Sequence, residues 1–161
     1  MGAVKGVVLS SIHELASRYE TSNTQVNQLW KNITWSSYGN FLSIPTDCPQ
    51  RNERLGWAGD ISVFSRTATY LADVPQFLRR YLRSMRDVQR TDGRFPDIAP
   101  LGGGFGGLLW GSAGITVPWE CYQQYGDTIL LSEHYDAMKR YIQYIIDNTI
   151  ETETNLIVQT R

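Results

Sequence analysis

Apolar residues in this chain recur at three- and four-residue spacing in one segment after another, which is the period of an amphipathic helix and not the two-residue alternation of a strand. Val26, Leu29, Trp30 and Ile33 follow Ser22-Asn23, a good N-cap pair, and predict a helix over about 23–38. Phe64, Thr67, Ala68 and Leu71 follow Asp60, which reads as a cap. Asp73-Val74-Pro75 opens the next stripe, Leu78, Tyr81, Leu82, Met85 and Val88, with proline tolerated in the first turn. These two segments nearly touch in sequence, so they are expected to fold back as an antiparallel hairpin. A helix near 114–125, stopped by Gly126, leads into one capped by Asp127 that runs to about 148 along Leu131, Tyr135, Met138, Ile142 and Ile145. Five helices in succession predict an all-α arrangement of hairpins around a shared interior, entered through a short extended segment, residues 1–12, with β-branched Val4, Val7 and Val8.

Two stretches interrupt the pattern. Residues 43–59 carry Pro45, Pro49, Gly56 and Gly59, and residues 91–112 carry Gly102, Gly103, Gly104, Gly106, Gly107 and Gly111. Both read as long ordered loops, the places where function concentrates. Gly102, Gly104 and Gly107 formally match a GxGxxG pattern, but no strand precedes them and no P-loop lysine follows, so a mobile substrate-side loop is the better reading.

Composition removes several classes of function. With 161 residues, 42% apolar, the chain is sized for one compact domain and not for a disordered tail. Fifteen basic against sixteen acidic residues give a net charge of -1, which supplies no field for nucleic acid or anionic lipid. No apolar run approaches the ~20 residues of a membrane helix, and the amino terminus lacks a signal-peptide core. Cys48 and Cys121 form one bridge at most and match no zinc pattern. His13 and His134 belong to no recognisable constellation and read as surface or packing residues. The sequon Asn32-Ile33-Thr34 falls inside a predicted helix.

The chemistry concentrates in Asp47-Cys48-Pro49-Gln50-Arg51-Asn52-Glu53-Arg54-Leu55-Gly56-Trp57-Ala58-Gly59-Asp60. Three carboxylates, two guanidiniums and an indole on one loop make the composition of a sugar site: carboxylate and guanidinium pair with vicinal hydroxyls, and tryptophan covers the apolar face of the ring. Glycoside cleavage needs a carboxylic acid to protonate the leaving oxygen. Glu53 is the candidate, with Trp57 able to exclude water from it and Arg51 or Arg54 able to pair with it. Taken singly, each residue has a plainer reading: Asp60 a helix cap, Asp47 a turn residue, Trp57 core filling, Arg51 with Glu53 an exposed ion pair.

Taken together, residues 45–60 resemble the signature of the family 78 glycoside hydrolases, the α-L-rhamnosidases, with Asn52 where the family has Asp and Ala58 where it has Thr. The likeness continues through Asn27, Leu29, Trp30 and Asn32, Asp92-Gly93-Arg94-Phe95-Pro96-Asp97, Trp110-Gly111, Val117-Pro118-Trp119 and Tyr125-Gly126-Asp127. The resemblance implies an (α/α)6 toroid that hydrolyses terminal α-L-rhamnosyl bonds with inversion, without metal or other cofactor. It places Glu53 at the general-acid position, Asp47, Arg51, Trp57 and Asp60 at positions that hold the rhamnose, and Trp110 in the surrounding aromatic wall. Ser112 stands where the family often has Asp, and no residue matches the family's downstream general base, a Glu. Twelve helices make the toroid against five predicted here, so residues 1–161 are expected to be one partial domain, its amino-terminal portion. Such a piece carries the general-acid half of the site, is inactive alone, and self-associates through its uncovered flank. A helical carbohydrate-binding or scaffold module is the competing reading.

Overall fold

A computed structural model describes residues 2–149 of the chain. Helix α1, Thr24–Asn40, starts where the sequence places a cap: the Asn23 side chain accepts hydrogen bonds from the N–H groups of Gln25 and Val26. Beyond it, β1 (Phe41–Leu42) and β2 (Ile44–Pro45) form a minimal antiparallel hairpin, with Leu42 opposite Ile44 and Ser43 at a φ of 67° in the turn. This hairpin is the whole sheet content of the described residues apart from two isolated bridges, Leu15 with Ala72 and Trp57 with Ile98. The remaining elements are α2 (Ala58–Leu71), α3 (Pro75–Asp87), the single turn α4 (Leu108–Gly111), α5 (Ala113–Tyr125) and α6 (Thr128–Thr149). Gly126 ends α5 in the left-handed conformation, φ 65°, and Asp127 opens α6 by accepting the Leu130 N–H at 2.9 Å. The amino-terminal segment runs exposed past Val4, Val7 and Leu9 and is tied down where the Ser11 and Ala16 N–H groups bond to the carbonyls of Phe41 and Leu71.

The core joins Ala58, Ile61 and Ala68 of α2, Leu78, Tyr81, Leu82 and Met85 of α3, Ala113, Val117 and Cys121 of α5, and Leu130, Ala137 and Tyr141 of α6. Helix α2, expected to pair with α3, packs most closely on α5, whose Thr116 hydroxyl lies 3.0 Å from that of Ser62. Helix α3 packs on α5 and α6, and Arg79 fastens it to Asp127 at 2.8 Å and Glu133 at 3.3 Å. The Asp127 carboxyl is held below its ordinary value: burial acts against this, and the Leu130 N–H and Arg79 outweigh it. Cys48 and Cys121 are both free thiols. No described helix is long and apolar enough to cross a membrane.

Two faces differ from the sequence reading. On α6 the buried positions are Leu130, His134, Ala137 and Tyr141, one residue before the apolar stripe, and Tyr135 and Ile142 on that stripe are 61% and 45% exposed. Periodicity counts histidine as polar, yet His134 is fully buried and stacks in parallel on Phe95 with ring centroids 5.6 Å apart, and Tyr141 packs on the same ring. On α1, Leu29 and Trp35 are exposed while Thr34 and Ser37 are buried, their hydroxyls bonded back to the carbonyls of Trp30 and Ile33.

His134 makes stability depend on pH. Neither ring nitrogen has a hydrogen-bond partner among the described residues. Burial, then the charge of Arg86 on α3, push the imidazole from its ordinary 6.5 down to about 4, and the Gly114 backbone, approaching without hydrogen-bond geometry, pulls weakly the other way. Below 6.5 the unfolded chain takes up a proton that the folded chain refuses, so this contribution is complete above pH 6.5, falls as pH drops, and levels off near pH 4. The full loss is roughly 3 kcal/mol. Urea midpoints for the wild type and His134→Phe, followed from pH 7 to pH 4, are expected to diverge, the wild type falling more steeply; parallel curves refute the assignment.

Candidate active site

Residues 46–57 close on themselves before α2 begins. The Asp47 N–H bonds to the Leu55 carbonyl at 3.2 Å, and Arg54, at a φ of 50°, turns its Nε to the Pro49 carbonyl at 3.0 Å. Arg54 is thereby diverted from Glu53. Gly56 is the anchor: its carbonyl accepts from the Tyr81 hydroxyl at 2.9 Å and from the Ala99 N–H at 3.0 Å. A Cβ at Gly56 would lie 2.2 Å from the Ala99 carbonyl oxygen, so only glycine allows the two loops to meet. The Ala58 N–H to Asp97 carbonyl bond, 2.8 Å, completes the seam.

Within this frame the half-buried Glu53 carboxylate is held from two sides. Its Oε1 accepts the Trp57 indole N–H at 2.7 Å, and its Oε2 pairs with the Arg51 guanidinium. Cys48 first, then Glu53, raise the proton affinity of the exposed Arg51. Donor atoms of Asp47, Cys48 and Glu53 lie within 4.8 Å of one another. Those three have the chemistry of a metal shell, but Glu53 already has a cation and an N–H donor, which makes the cluster a paired acid site.

Asp60 is not a cap. Helix α2 starts at Ala58, its N-cap position is Trp57 with no side-chain bond, and Asp60 is the third helical residue, in the first turn. Its exposed carboxylate is therefore free for other use, and it is near enough to the Tyr81 phenol to add to the upward push that burial gives that group. Asp47 and Asp60 line one cavity of about 400 Å³ between α1 and α2, together with Ile33, Ser36, Asn40 and Thr46. That is within the range of small-ligand pockets. Asp47 Oδ1 is buried and lacks a hydrogen-bond partner among the described residues. Glu53, Trp57 and Trp110 do not line this cavity; Asp47 is common to it and to the Glu53 cluster.

Trp110, on α4, is half-buried over the first turn of α2, where a Cβ on Gly59 would come within 2.8 Å of the indole. Phe105 meets it edge to face, centroids 4.6 Å apart, and reaches Trp57 at 6.1 Å. All six residues singled out in the sequence thus fall in one connected region. Phe105, Asp97 and the α1 positions Ser36 and Asn40 were not singled out as site residues. A lone aromatic among five glycines is a legible signal for Phe105; nothing in the sequence brings α1 over Asp60.

A helical domain with a loop-borne carboxylate cluster beside an aromatic wall belongs to the class of helical glycosidases, and the chain's relatives specify which. The domain model for the bacterial α-L-rhamnosidase six-hairpin glycosidase matches residues 14–159. An α-L-rhamnosidase of Streptomyces avermitilis is 44% identical over 145 residues, 89% of this chain and 14% of that protein. One from Formosa agariphila is 41% identical over 143 residues, 88% of this chain and 15% of that protein. Among solved structures, the Streptomyces avermitilis α-L-rhamnosidase complexed with L-rhamnose superposes with a TM-score of 0.77 at 46% identity, over 80% of this chain and 13% of that one. The α-L-rhamnosidase of Dictyoglumus thermophilum also gives 0.77, at 37% identity, over 88% of this chain and 16% of that one. The chain belongs to the bacterial α-L-rhamnosidase six-hairpin glycosidase family, and its helices are part of that α/α toroid. It spans about one-seventh of the length of the relatives it matches.

Proposed function

We propose that the protein carrying this chain hydrolyses terminal α-L-rhamnosyl bonds with inversion, and that residues 1–161 are one partial domain, the amino-terminal portion of the catalytic toroid, bearing the general-acid half of the site. The observation that carries this reading is the Glu53 carboxylate, held by the Trp57 N–H and the Arg51 guanidinium beside Asp47, which itself lines the cavity shared with Asp60. Glu53 protonates the departing oxygen. Asp47 and Asp60 accept hydrogen bonds from sugar hydroxyls, the partnerless Asp47 Oδ1 being ready to take one. Arg51 orients Glu53 and the sugar, and Trp57 and Trp110 supply the apolar wall.

Asp47 is too close to Glu53 to serve as the general base of inversion, which needs the carboxyl groups ~6.5 to 9.5 Å apart with water between them. The base is therefore another carboxylate of the complete protein. Its closeness favours one alternative, a retaining reaction with Asp47 as nucleophile. Proton NMR of the first-formed sugar separates the two: inversion releases β-L-rhamnose from an α-rhamnoside, and retention releases the α anomer. A protein that binds rhamnose and cleaves no rhamnoside would instead fit the carbohydrate-binding module.

The isolated 161-residue chain is expected to show no turnover of an aryl α-L-rhamnoside and to self-associate. Ile129, Tyr135, Ile142 and Ile146 on α6, with Leu29 and Trp35 on α1, leave apolar surface uncovered. Concentration-proportional hydrolysis by the purified chain refutes the first expectation, and a monomer by light scattering at high concentration refutes the second.

A further inference from the structure

We infer that Phe105 is a specificity-determining residue that holds the leaving group of the glycoside, and that Asp97 is the positioning residue that sets it there. The inference rests on the hydrolase reading above. Phe105 sits in a run of glycines whose conformations no other residue adopts readily: Gly102, Gly103, Gly104 and Gly106 have φ of 80°, 87°, 110° and 89°. Left to itself, such a loop has no fixed shape. Asp97 supplies one. It is fully buried; its N–H bonds to the Gly103 carbonyl at 3.0 Å and its Oδ2 accepts the Gly106 N–H at 2.7 Å, so one residue grips the loop on both sides of Phe105. A Cβ on Gly104 would fall 2.4 Å from the Asp97 side chain, so the grip depends on glycine there. The same Asp97 holds the start of α2 through its carbonyl, tying the position of the loop to that of the acid site.

The ring on this loop is 64% exposed. It meets Trp110 edge to face and lies tilted against Trp57, the indole whose N–H is bound to Glu53. An acid that protonates the bridging oxygen stands at the junction of sugar and leaving group. The half-buried Trp110, over the turn that carries Asp60, belongs to the sugar side. Phe105, outermost of the three aromatics, is left to the part of the substrate that projects toward solvent. A flat, apolar ring there favours a planar aromatic leaving group over a small alkyl one.

The test uses the full-length protein carrying this chain, with methyl α-L-rhamnoside and 2-naphthyl α-L-rhamnoside as substrates, and compares each variant with wild type on each substrate so that the intrinsic reactivity of the leaving groups cancels. Phe105→Ala is expected to lower kcat/KM for the naphthyl substrate about 10-fold, through KM, and to change the methyl substrate less than about 2-fold. Phe105→Trp is expected to restore the naphthyl preference. Asp97→Asn is expected to give the same one-sided loss, a pattern that loss of stability does not produce, since it lowers both substrates together. Equal losses on the two substrates, or none on either, overturn the proposal while leaving the hydrolase reading intact. A wild type that cleaves neither substrate overturns both.

Discussion

Glu53→Gln in the full-length protein is expected to lower turnover of alkyl rhamnosides by about 10²- to 10⁴-fold, the usual range for general acid catalysis. Hydrolysis of a dinitrophenyl rhamnoside should fall far less. The difference follows from the leaving group: an alkoxide departs poorly unless it is protonated in the transition state, whereas dinitrophenolate needs little help. Glutamine retains an oxygen that accepts the Trp57 N–H, so that bond is kept, while the ion pair with Arg51, itself 59% exposed, is lost at small cost. The measurement is kcat for both substrates in both proteins. A loss of equal size on the two substrates would show that Glu53 does not deliver the proton.

Asp60→Asn and Asp47→Asn should show the opposite pattern, each lowering kcat/KM by about 10- to 100-fold for alkyl and dinitrophenyl substrates alike, the worth of one charged hydrogen bond. Losing a contact to a sugar hydroxyl weakens the bound transition state whatever departs. The Asp60 substitution is the cleaner test. As an exposed third residue of α2 it makes no capping bond, so the structural cost is limited to the helix dipole, about 0.3 to 1 kcal/mol, and the thermal midpoint should move little. If the leaving-group dependence appears with Asp60→Asn and is absent from Glu53→Gln, the acid is Asp60 and the assignments exchange.

The helices were written in local chemistry, and the chain obeys it: Asn23 and Asp127 make the capping bonds their types permit, Pro75 stands in a first turn, and Gly126 ends α5 in the left-handed conformation that glycine, lacking a Cβ, adopts without strain. The grouping of the candidate site around Glu53 was equally legible, since Arg51, Glu53 and Trp57 lie two and four residues apart and the loop that bears them is short enough to bring them together. Which side of each helix faces inward was another matter. Helix α6 carries apolar residues on two neighbouring arcs, and the choice fell to the one holding His134 and Tyr141 because Phe95, nearly forty residues earlier, offers them a ring to stack on. Asp60 reads as a cap by type and is not one, because α2 begins two residues before it, where the Ala58 N–H finds the Asp97 carbonyl. Local spacing determines whether a helix forms and where it ends. The inward face, the α1 side of the Asp47–Asp60 cavity and the grip of Asp97 on the loop of Phe105 depend on partners distant in sequence, and only the packed structure brings those together.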